Sequence, residues 1–171
     1  MGVRLMASKV PNMMIAASCS KNFGVYRDRV GAAIVIGEGK KVVTLAEDNL
    51  KSLNRLTFSF PPDHGAAVVE MILKDSNLKQ KWCDELEEMR SSMLNLRVKL
   101  SKSLKLSTKS DRFDFVGDHR GMFSRLGLSK RVVQILRKDF GIYMVSDSRI
   151  NIAGLQLDKI DFLASSISKI L

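Results

Sequence analysis

The sequence predicts an α/β fold, and three observations carry that prediction. Two short apolar runs, Met13–Ser18 and Gly31–Ile36, show no polar alternation, as strands covered on both faces do. Stretches of helical length follow them, with apolar residues three and four apart. After Thr108 short strand-like runs alternate with helical ones, the pattern of a small α+β layer.

Length and composition bound the reading. At 171 residues the chain holds one domain or two small ones. Apolar residues make up 45% and charged residues 27%, as in a globular protein. No apolar run approaches the ~20 residues of a membrane span, so no membrane role is expected. Arg4, Lys9 and Pro11 interrupt the weak apolar start, against a signal peptide, and the expected compartment is the cytoplasm. Cys19 and Cys83 stand in unrelated contexts and suggest neither a disulfide framework nor a metal site.

The net charge of +10 raises nucleic-acid binding as a possibility. The excess is densest where Arg97, Lys99, Lys102, Lys105, Lys109 and Arg112 face only Asp111. These cations alternate with Leu96, Val98, Leu100, Leu104 and Leu106, and no aromatic residue is interleaved for base stacking. The run reads as the solvated face of a helix, with no nucleic-acid partner.

Taken in order, residues 1–12 are a basic lead-in closing at Pro11-Asn12. Residues 13–18 and 31–36 are the two buried strands, and residues 18–28 form the loop between them, with Gly24 free to take a positive φ. A turn at 37–39 precedes a helix over 40–57, which Phe58-Ser59-Phe60-Pro61-Pro62-Asp63 must end. Asp63 is placed to cap a helix over 65–73, and Asp75 or Ser76 to cap a long one. Leu78, Trp82, Leu86, Met89, Met93, Leu96 and Leu100 form the stripe of that long helix. A domain boundary is expected within it, near Glu88, giving domains 1–88 and 89–171. Beyond it, strands are expected at 113–116, 121–123, 142–145 and 149–152. Helices are expected over 129–140, capped by Ser129, and over 157–170.

Residues 18–31 concentrate the chemistry. Lys21 follows a buried strand, and ligands in α/β sheets collect at the carboxyl ends of strands. An amine held there, partly desolvated, has a lowered pKa and can form a Schiff base with an aldehyde cofactor. Ser18 and Ser20 offer hydroxyls, and Arg29 a planar fork suited to a phosphate dianion. Spacing alone leaves a second reading open, a surface loop of an unrelated α/β domain.

Four segments then resemble a known family in order. Ser-x-Ser-Lys-Asn-Phe-Gly-x-Tyr-x-x-Arg-x-Gly, from Ser18 to Gly31, resembles the cofactor-lysine segment of class I, fold-type I aminotransferases. Asn54-Arg55 with Phe58-Ser59-Phe60-Pro61-Pro62-Asp63-His64-Gly65-Ala66 resembles the segment that supplies their distal-carboxylate arginine. Arg120-Gly121-Met122-Phe123-Ser124 resembles a substrate-lining strand, and Ser148-Arg149-Ile150-Asn151-Ile152-Ala153-Gly154 the α-carboxylate arginine motif. The wording is most similar to the bacterial aromatic amino acid and aspartate branch.

The resemblance implies the C-terminal part of a pyridoxal-phosphate-dependent transferase large domain, with a mostly parallel and incomplete sheet. A long helix would join it to a small α+β C-terminal domain. It implies pyridoxal 5′-phosphate as cofactor, amino acids and 2-oxo acids as substrates, and a homodimer in the intact enzyme. Lys21 would carry the cofactor as a Schiff base and move the substrate's proton. Ser18 and Arg29, with Ser20 as a weaker candidate, would hold the phosphate. Arg149 would clamp the α-carboxylate, and Arg55 would pair a dicarboxylic side chain in the partner subunit's site. Ser59 and Phe123 would line the pocket, although Phe123 also suits a core position. His64 reads as structural and His119 as surface.

The family's glycine-rich phosphate loop and the aspartate that pairs the pyridine nitrogen lie before the first residue of this resemblance. Weak or no transamination is therefore expected of this chain alone. An aspartate aminotransferase would share every one of these motifs. A non-catalytic basic interaction module is the alternative of another class.

Overall fold

The segment between the two apolar runs contains no helix to carry a parallel crossover, so the runs can pair only as a hairpin. In the computed structural model, which describes residues 2–171, they do so. Strand β1 (Met13–Ser18) and strand β2 (Gly31–Ile36) are antiparallel, in register from Met13 opposite Ile36 to Ser18 opposite Gly31. The expected parallel sheet is not present among the described residues, where both strand pairs are antiparallel. Gly31 permits the close approach of the two strands, because a Cβ there would stand 2.2 Å from the Ala17 carbonyl oxygen.

The chain divides into two compact units, Met1–Asp84 and Glu85–Leu171, and each is described by itself. In the first, a short helix α1 (Gly2–Ala7) forms where only a lead-in was expected. Helix α2 (Lys40–Phe58) packs on β2 and stops at Ser59, whose φ is 61° and whose N–H donates to the Arg55 carbonyl. Helix α3 (His64–Lys74) follows, but Asp63 does not cap it with its side chain. The strands expected to be buried on both faces are not. Met14 and Ile34 are exposed, because a two-stranded ribbon has helix α2 against it and no third layer. Among its described residues this unit buries only Ser20 and Gly65.

Helix α4 (Ser76–Thr108) begins in the first unit and continues into the second. Asp75 caps it, its Oδ1 accepting from the N–H groups of Asn77 and Leu78 at 2.8 and 2.9 Å. In the second unit Leu100 and Leu104 of α4 enter a core with Phe113, Val116, Leu126, Leu136, Ile152, Ile160 and Ile167. Every buried hydrophobic side chain among the described residues belongs to this core.

Three expectations fail here for local reasons. Phe113 and Val116 are not strand neighbours. They lie on one side of a tight turn closed by Val116 N–H to the Phe113 carbonyl, leading into the one-turn helix α5 (Phe115–Asp118). Residues 142–145 form no strand, because the Ile142 N–H is held by the Leu136 carbonyl at the C-terminus of α6 (Lys130–Phe140). The left-handed Gly141, φ 66°, sets that return. The strand expected at 121–123 starts later, as β3 (Phe123–Arg125), because Gly121 takes φ 85°. Ser129 caps α6 as expected, accepting from the Val132 N–H. The last helix opens with a 3₁₀ turn at Leu157–Lys159 and continues as α7 (Ile160–Ser168).

Strand β3 pairs antiparallel with β4 (Arg149–Asn151), Phe123 opposite Asn151 and Arg125 opposite Arg149. Alternation puts Ser124, Leu126, Ile150 and Ile152 on the core face. Phe123, Arg125, Arg149 and Asn151 share the exposed face.

Candidate active site

The Lys21 loop is built from its closure outward. Ser18 ends β1 opposite Gly31, and the Cys19 N–H donates to the Val30 carbonyl at 3.0 Å. That closure brings residues 18–20 and 29–31 to one end of the hairpin. Within it the Ser20 N–H donates to Ser18 Oγ, and the two hydroxyls are 3.0 Å apart. Ser20 is buried, and Ser18 lies at the surface. Arg29 stands at φ 54°, a left-handed conformation rare for a side chain of its size. Its guanidinium donates to the Tyr26 carbonyl at 3.2 Å and forms no ion pair among the described residues.

Lys21 departs from expectation. Its side chain is exposed rather than partly desolvated, with Nζ 5.8 Å from the Tyr26 ring centroid. The reason is the same thinness that exposes the strands: no described residue of this unit buries the Lys21 side chain.

Two contacts hold the loop from outside, and sequence reasoning assigned neither. Trp82 stacks on Phe23 with centroids 4.5 Å apart and planes 12° off parallel, and its indole N–H donates to the Asn22 carbonyl at 2.6 Å. Gly65 lets α3 approach the returning limb so closely that a Cβ would stand 2.6 Å from Asp28 Cβ. Trp82 is the sole tryptophan, four residues from Leu78 in the apolar stripe of α4, and its spacing marked it only as a member of that stripe.

Arg55 and Ser59 sit together at the end of α2, both exposed, joined by the N–H of Ser59 on the Arg55 carbonyl. His64 opens α3 at the surface. The Arg55 side chain has no ion pair or hydrogen bond among the described residues, so its charge is open to an anion.

In the second unit, Arg149 and Phe123 come together on the exposed face of the β3–β4 pair. Arg149 Cζ lies 5.4 Å from the Phe123 ring centroid. Phe123 is therefore a surface ring under a cation and not a core residue. Asp147 is the nearest acid in sequence, yet it serves Arg125, accepting from Nε at 3.0 Å and from a terminal nitrogen at 2.7 Å. From Arg149 it accepts only the backbone N–H, at 3.1 Å. Those bonds, Arg125's first, hold the Asp147 carboxyl below the ordinary carboxylate range. The Arg149 fork is thus left without an anionic partner among the described residues. It borders an open groove of about 360 Å³ lined by Phe123, Ile142, Tyr143, Met144 and Leu155.

Arg97, expected on a solvated face, is fully buried. Lys99 is half-buried and donates to the Leu157 carbonyl, while Lys102, Lys105, Lys109 and Arg112 stay at the surface, where Lys105 pairs with Asp114 and Arg112 donates to the Gly127 carbonyl. His119 is exposed, with Nδ1 3.2 Å from Ser124 Oγ. Among the described residues no group of acids, histidines and cysteines could hold a metal ion, and no helix is long and apolar enough to cross a membrane.

The chain is similar to known proteins over nearly its whole length. A family model described as aminotransferase class I and II matches residues 1–167. The aromatic-amino-acid aminotransferase of Paracoccus denitrificans is 49% identical over 99% of this chain, which spans 43% of that protein. A solved aromatic amino acid aminotransferase with 3-indolebutyric acid superposes with a TM-score of 0.94 at 49% identity, over 99% of this chain and 43% of that one. The Burkholderia pseudomallei aromatic-amino-acid aminotransferase, solved covalently bound to pyridoxal phosphate, superposes with a TM-score of 0.89 at 38% identity, over 99% and 42%. The chain spans less than half the length of the relatives it matches.

Proposed function

Because the chain belongs to the class I and II aminotransferases, we propose that it is the C-terminal portion of a transaminase of aromatic and dicarboxylic amino acids. Pyridoxal 5′-phosphate is the cofactor in this reading, and 2-oxoglutarate the amino acceptor. Residues 1–88 are the end of a cofactor-binding large domain and residues 89–171 a small C-terminal domain. The intact enzyme is a cytoplasmic homodimer. The observation that carries the reading is the lysine beside phosphate-type donors at the end of the first unit's hairpin, without an ion pair among the described residues.

The donor set fits that cofactor. The paired hydroxyls of Ser18 and Ser20 and the uncommitted edge of the Arg29 fork offer what a phosphate dianion takes. The Lys21 amine has no carboxylate partner among the described residues, so its nitrogen is free to condense with an aldehyde. When bound, pyridoxal phosphate supplies that aldehyde and an electron-accepting ring. Once the substrate amine has displaced it from that aldehyde, Lys21 Nζ would be free to take the proton from the substrate Cα and later return one, general acid–base work by a positioned amine. Arg149 holds the substrate α-carboxylate in its fork and so orients the Cα–H bond. Arg55 pairs the distal carboxylate of a dicarboxylic substrate, in the partner subunit's site, and swings aside for an aromatic one. Phe123 and Ser59 line the pocket.

Borohydride reduction of the chain mixed with pyridoxal phosphate, followed by peptide mapping, tests the cofactor assignment. A single dominant pyridoxyl label at Lys21, lost in Lys21→Ala, is expected. A label spread over surface lysines with none at Lys21 overturns it. In the longer protein that carries this chain, Arg149→Lys should raise KM for phenylalanine and aspartate alike, and Arg55→Ala for aspartate alone. Turnover of aspartate with none of phenylalanine would instead favour an aspartate aminotransferase, which shares all four segments.

A further inference from the structure

Strand β3 is three residues long and pairs on one side only. Its ladder bonds run from the Ile152 N–H to the Met122 carbonyl, at 2.7 Å, and from the Leu126 N–H to the Ser148 carbonyl, at 3.1 Å. In an antiparallel pair the intervening residue's polar groups point the other way, so the Phe123 carbonyl faces a free edge. A buried guanidinium occupies that edge. The Arg97 Nη2 donates to the carbonyls of Gly121 and Phe123 at 2.7 and 3.1 Å. Its Nη1 donates to the Val116 carbonyl at 3.0 Å and to Ser124 Oγ at 2.7 Å. Ser124 Oγ also lies 3.2 Å from His119 Nδ1.

We propose that Arg97 is a positioning residue for the carboxylate-binding pair, acting as the missing strand partner that sets where Phe123, and through it Arg149, stands. The inference rests on the transaminase reading of Arg149. Three features support it. The guanidinium is fully buried and meets no carboxylate, being held by carbonyl and hydroxyl oxygens alone. Its Nε has no partner among the described residues. Burying such a charge is costly, and its four oxygen acceptors are what offset that cost, so the guanidinium and the β3 approach hold each other in place. Every acceptor it takes lies between Val116 and Ser124, the approach to β3, and none lies on α6 or α7. The fork is also specific: four acceptors in two directions suit a planar guanidinium and not a single ammonium.

The test compares the chain with its Arg97→Lys, Arg97→Met and Ser124→Ala variants by amide exchange and by the ring-current shift of the Arg149 side chain from Phe123. Arg97→Lys should speed exchange at Leu126 and Ile152 by about ten- to a hundredfold, the loss of charged hydrogen bonds. It should remove the ring-current shift and leave the α7 amide of Ile167 unchanged. Ser124→Ala, which keeps the guanidinium, should show the same signature more weakly, and this reading survives even if Arg97→Met fails to fold. Unchanged exchange at Leu126 and Ile152, a retained ring-current shift, or equal acceleration at Ile167 would each overturn the inference, the last by making Arg97 general scaffolding. Titration with 3-phenylpropionate and propionate separates the two readings. If the longer protein proposed above binds neither acid, the carboxylate role of Arg149 fails, while the exchange and ring-current data still decide the role of Arg97. If it binds both, Arg97→Lys should weaken 3-phenylpropionate by about tenfold more than propionate, since the ring beneath the fork has moved.

Discussion

Trp82 is the strongest external tie on the Lys21 loop, and removing it should loosen that loop without unfolding its surroundings. Trp82→Ala deletes the stack on Phe23 and the indole hydrogen bond to the Asn22 carbonyl. An aromatic pair contributes about 0.5–1.5 kcal/mol beyond burial, and a neutral hydrogen bond about the same. Together they amount to about 1–3 kcal/mol, or roughly a five- to 150-fold rise in the population of the open loop. Amide exchange at Cys19 and Phe23 reads that population directly, because their N–H groups donate to the Val30 and Cys19 carbonyls across the loop. Trp82→Phe keeps a ring on Phe23 and loses the indole donor, so it should show about half the effect on a logarithmic scale. Since the chain has one tryptophan, the emission of the parent protein also reports this contact, and Phe23→Leu should shift it. Exchange at Cys19 and Phe23 that is the same in Trp82→Ala as in the parent would refute the reasoning.

Three further outcomes follow from the geometry. Leu104→Ala, at a fully buried core position, should cost about 2–5 kcal/mol in urea unfolding followed by loss of helicity. Leu56→Ala, 80% exposed, should stay within about 0.5 kcal/mol, and equal costs would contradict the placement of the core. Gly65→Ala should displace the Asp28–Val30 limb, because its Cβ would stand 2.6 Å from Asp28 Cβ, and altered chemical shifts at Val30 and Cys19 would register it. Asp147 has its native pKa depressed, so its contribution to stability is present above the unfolded carboxylate value of about 3.9 and is lost as pH falls through the native one. Protection of the Arg125 Nε–H, taken relative to the exchange of a free guanidinium at the same pH, should therefore be lost only in acid, and Asp147→Asn should remove it at every pH.

The legible parts of this chain are those in which a short-range rule decides the outcome. Ser129 before an amphipathic run gave the start of α6, and Asp75 with two donors beyond it gave the start of α4. Clustering of Ser18, Ser20, Lys21 and Arg29 was readable as spacing, and the hairpin register gathers them at one end. Less legible were features that depend on what packs where. Ile142 to Val145 has strand composition, but a left-handed Gly141 turns its first N–H back onto α6. Phe113 and Val116 suit a strand or a turn equally, and burial on a common side selected the turn. Arg97 stands three residues before Leu100 and seven before Leu104, on the buried stripe of α4, but its charge argued for the solvated face and hid that spacing.

The two candidate halves of the chemistry rest on unequal support. Arg149 lies on a strand pair whose other face is core, with Ile150 and Ile152 among its buried members. Moving Arg149 far means opening that core. Lys21 lies on a hairpin in a unit that buries no hydrophobic side chain among its described residues, and its loop is held by Trp82, Gly65 and the Cys19–Val30 bond. Local opening free energy follows buried apolar contact, so the loop belongs to the low end of the chain's stability range. In rising urea the emission of Trp82, within the first unit, should change before the amides of Leu126 and Ile152 lose protection. A single coincident transition would show that the two units unfold together and that the contrast in burial has no energetic consequence.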